Sequence, residues 1–225
     1  MKKNILVIVA HPDDEILGCG ATLAKLARNN HKVHCLITAE GITSRNDSNR
    51  KKHLNDLQKA TLASSKIIKF SSVQSLKLPD NRLYSVDFLK IAKTYEKIIN
   101  ILKPRIIFTH HPGDLNLDHE IVNRAVLTAT RPIAKTYIKK ILTFETPSST
   151  EWNFDTAKSF IPNYFENVEK FMKYKLKALK AYKSEMRPFP HPRSVENIKA
   201  LAKFRGSTVG YKYAEAFRLV REIKD

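Results

Sequence analysis

Four side chains able to bind a metal stand within five consecutive positions near the start of the sequence: His11, Asp13, Asp14 and Glu15. They directly follow an apolar run at residues 5–10, which predicts a strand buried on both faces. Burying so many ionisable groups without partners costs several kcal/mol per charge, so an ordinary core position would not hold them. A bound cation would stabilise the same cluster. The density of ionisable residues in this cluster favours a metal site over a polar turn with an incidental histidine.

A second polar cluster, at residues 110–119, follows another predicted strand. A catalytic zinc site takes three protein ligands and keeps a fourth position for water. His11 and Asp14 can supply two ligands, and His119 is the best third ligand in the second cluster. Asp13 is left beside the ligands, where a carboxylate can act as a general base toward water that the metal makes acidic. The arrangement predicts metal-assisted hydrolysis of an amide or an ester.

The second cluster leaves several assignments open. Asp118 can orient His119 or a neighbour, a role that metal ligands commonly need. His110 and His111 stand at the strand end, where each is either a packed, hydrogen-bonded histidine or a functional one. One zinc ion per chain suits the mixed imidazole and carboxylate donors. Iron(II) could occupy the same ligands, whereas magnesium prefers oxygen donors and is a weaker choice.

Predicted strands and helices alternate along the first half of the chain, which is typical of a mostly parallel α/β sheet with helices on both faces. Functional groups in such sheets gather beyond the carboxyl ends of the strands. Because both polar clusters follow a strand, we expect them to meet. We predict strands at residues 5–10, 33–38, 67–70 and 105–109, and helices at residues 16–29, 50–65, 88–102 and 119–130.

Past residue 140 the pattern is less regular, and we expect an irregular C-terminal cap on the same domain. Three prolines between residues 188 and 192 exclude a helix there. The segment 213–220 fits either a closing strand or a last helix. We also predict a strand at residues 141–145, a long helix at residues 164–185 and a shorter helix at residues 194–204.

The composition is that of a soluble globular protein, with 42% hydrophobic and 28% charged residues. The length suits a single domain, residues 1–225. The longest apolar run is too short for a transmembrane segment, and it leads into the polar cluster rather than into a signal-peptide cleavage site. We therefore expect a cytoplasmic protein in which Cys19 and Cys35 are free thiols. The sequence leaves a homo-oligomer open.

The chain is strongly basic, with 40 Lys and Arg against 22 Asp and Glu and a net charge of +18. Such a charge attracts phosphate groups, so one alternative is a nucleic-acid-binding protein with an accessory metal site. However, the lysines are spread around helices, and the sequence carries no zinc-finger, recognition-helix or aromatic RNA-binding signature. We favour solvated basic faces without a specific nucleic-acid partner, with some attraction of an anionic substrate.

The first cluster resembles the signature of the PIG-L/LmbE family of zinc-dependent N-acetyl-sugar deacetylases, and the second resembles the family's Asp-His motif. The resemblance covers nearly the whole chain. It implies a Rossmann-like fold, N-acetylated sugar substrates, zinc held by His11, Asp14 and His119, and Asp13 as the base. The matching segments are Ala10-His11-Pro12-Asp13-Asp14-Glu15-Ile16-Leu17-Gly18, Leu78-Pro79-Asp80-Asn81-Arg82, Asp114-Leu115-Asn116-Leu117-Asp118-His119, Pro190-His191-Pro192-Arg193-Ser194 and Tyr213-Ala214-Glu215-Ala216-Phe217.

One position departs from the family pattern. Many members carry a histidine three residues before the last zinc ligand, where it steadies the oxyanion, and this chain has Asn116 there. An amide can donate a hydrogen bond but cannot carry a positive charge. His111 or His191 could move into the gap. The departure also raises the alternative of a catalytically weak relative that binds sugars.

The second motif is similar to that of relatives in bacterial polysaccharide and nucleotide-sugar pathways, which implies a nucleotide-linked or otherwise anionic substrate. Arg45 and Arg193 could bind its phosphates. Asp80 and Asn81 are candidate partners for sugar hydroxyls, although Pro-Asp-Asn is also ordinary turn chemistry. Asp114, in the second motif, is a further candidate contact. We expect a hydrolase that removes acetate from an N-acetylated amino sugar in polysaccharide or glycoconjugate biosynthesis.

Overall fold

A computed structural model describes residues 2–42, 49–133 and 137–224. A seven-stranded sheet runs through it in the order β3-β2-β1-β4-β5-β7-β6. The first five strands along the chain are parallel, and β7 is antiparallel to both of its neighbours. The strands are β1 (Asn4–Val9), β2 (Lys32–Ala39), β3 (Ser72–Leu78), β4 (Ile106–His110), β5 (Lys140–Phe144), β6 (Tyr164–Asn167) and β7 (Ala214–Glu222).

Helices cover both faces of the sheet. The side chains of β1 alternate between the two layers, so that Ile5 and Val7 face one cluster of buried apolar residues and Leu6 and Ile8 face the other. This double burial explains why β1 reads as an unbroken apolar run. Helices α1, α2, α5 and α6 pack on the first face, and α3 and α4 pack on the second. Their bounds are α1 (Asp14–Arg28), α2 (Arg50–Ile68), α3 (Phe88–Leu102), α4 (Leu117–Ala129), α5 (Met172–Leu179) and α6 (Val195–Ser207).

The predicted fold class is confirmed, but the third strand was misplaced. Residues 67 and 68 form the last turn of α2, which ends at Lys69 in a left-handed conformation with φ 70°. The apolar residues there bury the end of the helix, since Ile68 is fully buried. The strand follows at Ser72–Leu78, where an exposed, alternating pattern gave a weak signal.

The predicted long helix at residues 164–185 is wrong. Its first residues form β6, an edge strand that pairs with β7, and only Met172–Leu179 is helical. The segment 213–220 is a strand, because β7 completes the sheet between β5 and β6. The C-terminal part therefore extends the sheet, and its irregular segments are the loops that follow β5 and α5.

A buried ion pair replaces one hydrogen bond of α1. In a regular helix the Ala21 N–H would bond the Leu17 carbonyl. Here the Glu215 carboxylate accepts from Ala21 N at 3.1 Å and from Thr22 N at 2.6 Å. The Lys175 ammonium donates to Leu17 O at 2.8 Å and lies 2.6 Å from Glu215. Cys19 between them has non-helical angles (φ −142°, ψ 20°), so the pair fixes the first turn of α1 separately from the rest.

Within the described ranges, no helix is both long enough and apolar enough to cross a membrane. Cys19 and Cys35 are buried free thiols, and burial raises the pKa of both well above the usual value. Both side chains therefore serve as small apolar groups of the core.

Lys175 and Glu215 should contribute to the free energy of unfolding as a coupled pair. We expect Lys175→Met and Glu215→Gln each to lower the free energy of unfolding by about 3–5 kcal/mol, because each leaves a buried group without its partner. The double variant should lose less than the sum of the two, as urea unfolding would show. Glu166→Gln, at the more exposed pair with Lys25, is the control and should cost under about 1 kcal/mol. Additive losses at Lys175 and Glu215 would contradict the coupling.

Candidate metal centre

The two polar clusters meet because of the strand order. The chain places β2 and β3 on one side of β1, then returns to place β4 and β5 on the other, so β1 and β4 are parallel neighbours at a topological switch point. Such points form a crevice at the carboxyl ends of the strands. His11 lies just beyond β1, Asp14 is the first residue of α1, and His119 lies in the first turn of α4.

Three ligand atoms converge in this crevice. Asp14 Oδ2 lies 3.4 Å from His11 Nδ1 and 3.3 Å from His119 Nε2. A tetrahedral zinc ion with bonds of about 2.0–2.1 Å would hold its ligand atoms about 3.3–3.4 Å apart. All three ligand atoms lie within 4.8 Å of one another. The spacing therefore suits a small divalent cation.

Unsatisfied buried atoms point to the same conclusion. Asp14 Oδ1 and His119 Nε2 are buried and make no hydrogen bond. Buried polar atoms nearly always have a partner, and a metal ion would supply it for His119. His11, Asp14 and His119 thus form a donor set that fits a metal.

Carboxylates on the far side of each imidazole orient the rings. His11 Nε2 faces Asp118 Oδ2 and Asp80 Oδ1, both at 3.2 Å, which leaves Nδ1 toward Asp14. His119 Nδ1 lies 3.1 Å from Asp114 Oδ1, close enough for strong electrostatic attraction. Carboxylates in these places fix the ring orientation of metal-binding histidines. His11, Asp80 and Asp118 also form a second cluster with metal-ligand spacing, through the opposite nitrogen of the same ring.

The centre carries a strong negative potential. Burial lowers the pKa of His11, but its hydrogen bonds to Asp118 and Asp14 outweigh burial and raise it to about 10. Burial likewise disfavours charged His119, yet Asp14 and Asp114 raise its pKa to about 9. Burial would raise the pKa of Asp14, but the neighbouring imidazoles hold it well below the usual value. Protons on the two histidines therefore balance charge that a cation could balance instead.

Asp13 stands next to this set with a different environment. Its φ of 103° is rare for a residue with a side chain and stores about 1–3 kcal/mol of strain. Its Oδ2 accepts from Arg193 Nη1 at 2.9 Å, and its N–H donates to Glu15 Oε2 at 3.1 Å. Burial raises the pKa of Asp13 well above its usual value, Arg193 lowers it, and nearby carboxylates such as Asp14 raise it further.

The substrate candidates are divided between the cleft and its surroundings. A cleft of about 120 Å³ is lined by His11 and Asp13 and by four of the candidates, Asp80, Asn81, Asn116 and Arg193. The Asn116 side chain caps α4 by accepting from Asp118 N at 2.9 Å, and it donates to Asn81 Oδ1 at 3.0 Å. Arg45 lies outside the described residues.

The other histidines make packing contacts. His111 Nε2 donates to Lys158 O at 2.8 Å, and the ring is buried away from the cleft. His191 Nδ1 accepts from Arg193 N at 3.1 Å, which shapes the loop that carries Arg193. His110 stacks on His119 with ring centroids 3.8 Å apart and accepts from Ala10 N at 2.9 Å. Burial and the neighbouring His119 lower the pKa of His110 to about 3, so this ring is neutral.

Comparison with known proteins agrees with this geometry. The family model described as PIG-L, GlcNAc-PI de-N-acetylase, matches residues 6–130, more than half of the chain and both motifs. The chain belongs to the PIG-L family. It is 32% identical to the uncharacterized deacetylase YaiS of Escherichia coli (strain K12), over 81% of this chain and 92% of that protein.

Two further relatives extend the comparison of this PIG-L family member. It is 30% identical to a probable N-acetyl-alpha-D-glucosaminyl L-malate deacetylase 2 of Bacillus subtilis (strain 168), over 57% of this chain and 61% of that protein. Its fold is similar to that of the N,N'-diacetylchitobiose deacetylase from Pyrococcus horikoshii, with a TM-score of 0.79 and 20% identity over 97% of this chain and 84% of that chain.

Several residues that support the site of this PIG-L chain have no clear signal in the sequence, namely Ser149, Thr150, Tyr182 and Glu185. Glu15 accepts from Tyr182 OH at 2.9 Å, and burial raises its pKa to about 7. Glu185 lies 3.6 Å from Arg193. Asp114, which orients His119, accepts hydrogen bonds from Ser149 and from Thr150, the latter at 2.6 Å. These partners come from loops after β5 and α5, and only the density of ionisable residues in the motifs hinted that such partners were needed.

Metal affinity should rise with pH. With pKa values raised to about 10 and 9, His11 and His119 are protonated in the metal-free protein at pH 6–8, and a metal must displace both protons. We expect apparent affinity to increase by up to about 100-fold per pH unit until about pH 9. Calorimetry in two buffers of different ionisation enthalpy would count the protons released, and release of less than one proton at pH 7 would contradict this.

Proposed function

We propose that the protein is a zinc-dependent N-deacetylase that removes acetate from an N-acetylated amino sugar. The observation that carries the proposal is that one crevice holds both a set of candidate metal ligands and a separate carboxylate. His11, Asp14 and His119 converge on one point, while Asp13 lies beside them with a carboxylate that is held by Arg193. A metal site with a free neighbouring carboxylate is suited to hydrolysis.

Zinc is the metal that the donors favour, since two imidazoles and one carboxylate match its common catalytic sites. Iron(II) would fit the same donors. When bound, zinc would act as a Lewis acid, making water acidic enough to attack near neutral pH and polarising the acetamide carbonyl. Asp114 and the pair Asp80 and Asp118 would keep the two imidazoles in register for it.

Asp13 moves the proton. Its carboxylate takes one proton from the attacking water as the new C–O bond forms at the acetyl carbon. The same group then returns that proton to the sugar nitrogen as the C–N bond breaks, so that acetate and the amine are released. A raised pKa suits the first step, because it makes the Asp13 carboxylate a stronger base toward the water. Arg193 holds the carboxylate in place during the exchange.

The substrate is a sugar on a nucleotide or another anionic carrier. Asp80, Asn81 and Asn116 give the cleft a polar wall suited to sugar hydroxyls. The net charge of +18 favours an anionic carrier through long-range attraction. We also infer one domain over residues 1–225, because all seven strands belong to one sheet. Cytoplasmic location, homo-oligomerisation and a role in polysaccharide or glycoconjugate biosynthesis stay predictions.

Acetate release tests this function. We expect the zinc-loaded protein to release acetate from N-acetylglucosamine or its derivatives. Asp13→Asn should lower kcat by about 10²–10⁴-fold yet retain zinc, since Asp13 is not a ligand. His119→Ala should lose the metal, as elemental analysis would show. The exposed Asp56→Asn is the matched control. Zinc loss in Asp13→Asn would refute the division of roles, and sugar binding without acetate release would indicate a weak sugar-binding relative.

Removal of Arg193 should shift the pH profile. Because this guanidinium lowers the pKa of Asp13, Arg193→Ala should move the acid limb of kcat/KM to higher pH. Arg193→Lys keeps a positive charge and should shift it less. Arg205→Ala, which breaks an ion pair with Glu145 away from the cleft, is the control. A rise in KM with an unchanged pH profile would show that Arg193 binds substrate and does not tune Asp13.

A further inference from the structure

An apolar groove opens directly from the catalytic cleft. It has a volume of about 270 Å³ and runs between α2 and the edge of the sheet at β3. Pro12 and Leu57 line both the groove and the cleft, so the two are continuous. The walls of the groove are formed largely by Leu54, Leu57, Leu62 and Val73, and the uncharged polar side chains on it are Gln58, Thr61 and Ser75.

A basic pocket adjoins this groove. It has a volume of about 320 Å³ and is lined by Glu40, Arg50, Lys77, Pro79 and Arg82. Glu40 and Lys77 line the groove as well. Arg50 lies 3.7 Å from Glu40, so the charges of these two side chains partly neutralise each other. Across residues 2–42, 49–133 and 137–224, Lys77 and Arg82 form no ion pair with a carboxylate.

A backbone irregularity aims Lys77 at this pocket. Ile37 of β2 pairs with Ser75 of β3, and Ala39 pairs with Leu78. Two residues lie between Ser75 and Leu78 but only one between Ile37 and Ala39, so β3 carries one extra residue. Lys77 lies in that bulge with φ 56°, a left-handed conformation that lysine rarely adopts. Bulges of this kind re-aim side chains and are frequent beside active sites. The strand is thus distorted where an unpaired cation faces the groove.

The apolar groove and the basic pocket together narrow the class of substrate. Two unpaired cations next to the cleft suit the phosphates of an anionic carrier. The groove adds aliphatic walls with hydrogen-bonding groups at Gln58, Thr61 and Ser75, which a nucleoside can use and an alkyl chain cannot. We propose that the sugar substrate is linked to a nucleoside diphosphate, with its phosphates at Lys77 and Arg82 and its nucleoside in the groove. This inference rests on the proposed deacetylase function.

The test compares four acetylated substrates that share one sugar. They are N-acetylglucosamine, its 1-phosphate, UDP-N-acetylglucosamine, and an octyl phosphodiester of the 1-phosphate. We expect kcat/KM of the zinc-loaded protein to rise from the free sugar to the 1-phosphate and again to the UDP sugar. The octyl compound should not exceed the 1-phosphate.

Charge variants test the basic pocket. Lys77→Glu with Arg82→Glu should lower the ratio of kcat/KM for the UDP sugar to that for the free sugar by about 10- to 100-fold, the effect of losing charge-assisted hydrogen bonds. Lys77→Arg should retain most of the ratio. Lys93→Glu with Lys97→Glu makes the same change of net charge on α3, on the opposite face of the sheet, and should leave the ratio unaltered.

Gln58→Leu tests the groove in two directions. It removes a hydrogen-bonding group and adds apolar surface, so it should lower the preference for the UDP sugar over the 1-phosphate and raise that for the octyl compound. If the wild-type protein prefers the octyl compound, a lipid carrier replaces the nucleotide and the proposal is wrong. Equal kcat/KM for free and phosphorylated sugars would also overturn it.

A binding measurement separates this inference from the proposed function. If the zinc-loaded protein deacetylates none of the four compounds, the function fails, but calorimetry with UDP still tests the subsite. UDP binding that weakens in the Lys77→Glu, Arg82→Glu variant and not in the α3 control would support the subsite. Wild-type protein that does not bind UDP would refute it.

Discussion

Surplus negative charge, buried where β1 and β4 end, is the constraint on which the site depends. Seven carboxylates stand within this small region, and the cations facing them are the Arg193 guanidinium and the imidazolium forms of His11 and His119. A low-dielectric interior does not tolerate such an excess. Protons on the two imidazoles, together with the raised pKa values of Asp13 and Glu15, reduce this excess, and a bound cation could balance it instead. The seven are Asp13, Asp14, Glu15, Asp80, Asp114, Asp118 and Glu185.

Chain topology delivers these charges to one place, and a second buried ion pair keeps them there. The reversal of strand order between β1 and β4 opens the crevice, and helices α1 and α4 begin at its rim. The first turn of α1 then has to hold Asp14 at a fixed angle beside the strained Asp13. The Lys175–Glu215 pair binds both sides of the kink at Cys19, since Lys175 donates to Leu17 O and Glu215 accepts from Ala21 N and Thr22 N.

The parallel sheet could be predicted from the sequence, as could the candidate metal ligands that the structure brings together, because both leave local signals. His11 and Asp14 share one motif, and the apolar run before them marks a strand buried on both faces. Other features depend on tertiary partners that no local pattern encodes. The strand β3 is exposed and bulged, so its signal was weaker than that of the apolar helix end before it. Residues 164–167 form a strand because β7 lies beside them, and β7 comes about 50 residues later.

The Asn116 side chain has a structural role at the edge of the cleft. Both ends of its amide are occupied: the oxygen accepts from Asp118 N at the N-terminus of α4, and the nitrogen donates to Asn81, so the side chain stabilises the start of the helix. His111 is fixed by Lys158 O on the far side of its loop and does not line the cleft. In the proposed reaction, positive charge beside the carbonyl would then come from a bound metal and from Arg193, the one Lys or Arg side chain among the described residues that line the cleft. Because Arg193 also pairs with Asp13, the proposed base and the proposed electrostatic stabilisation would be coupled through a single guanidinium.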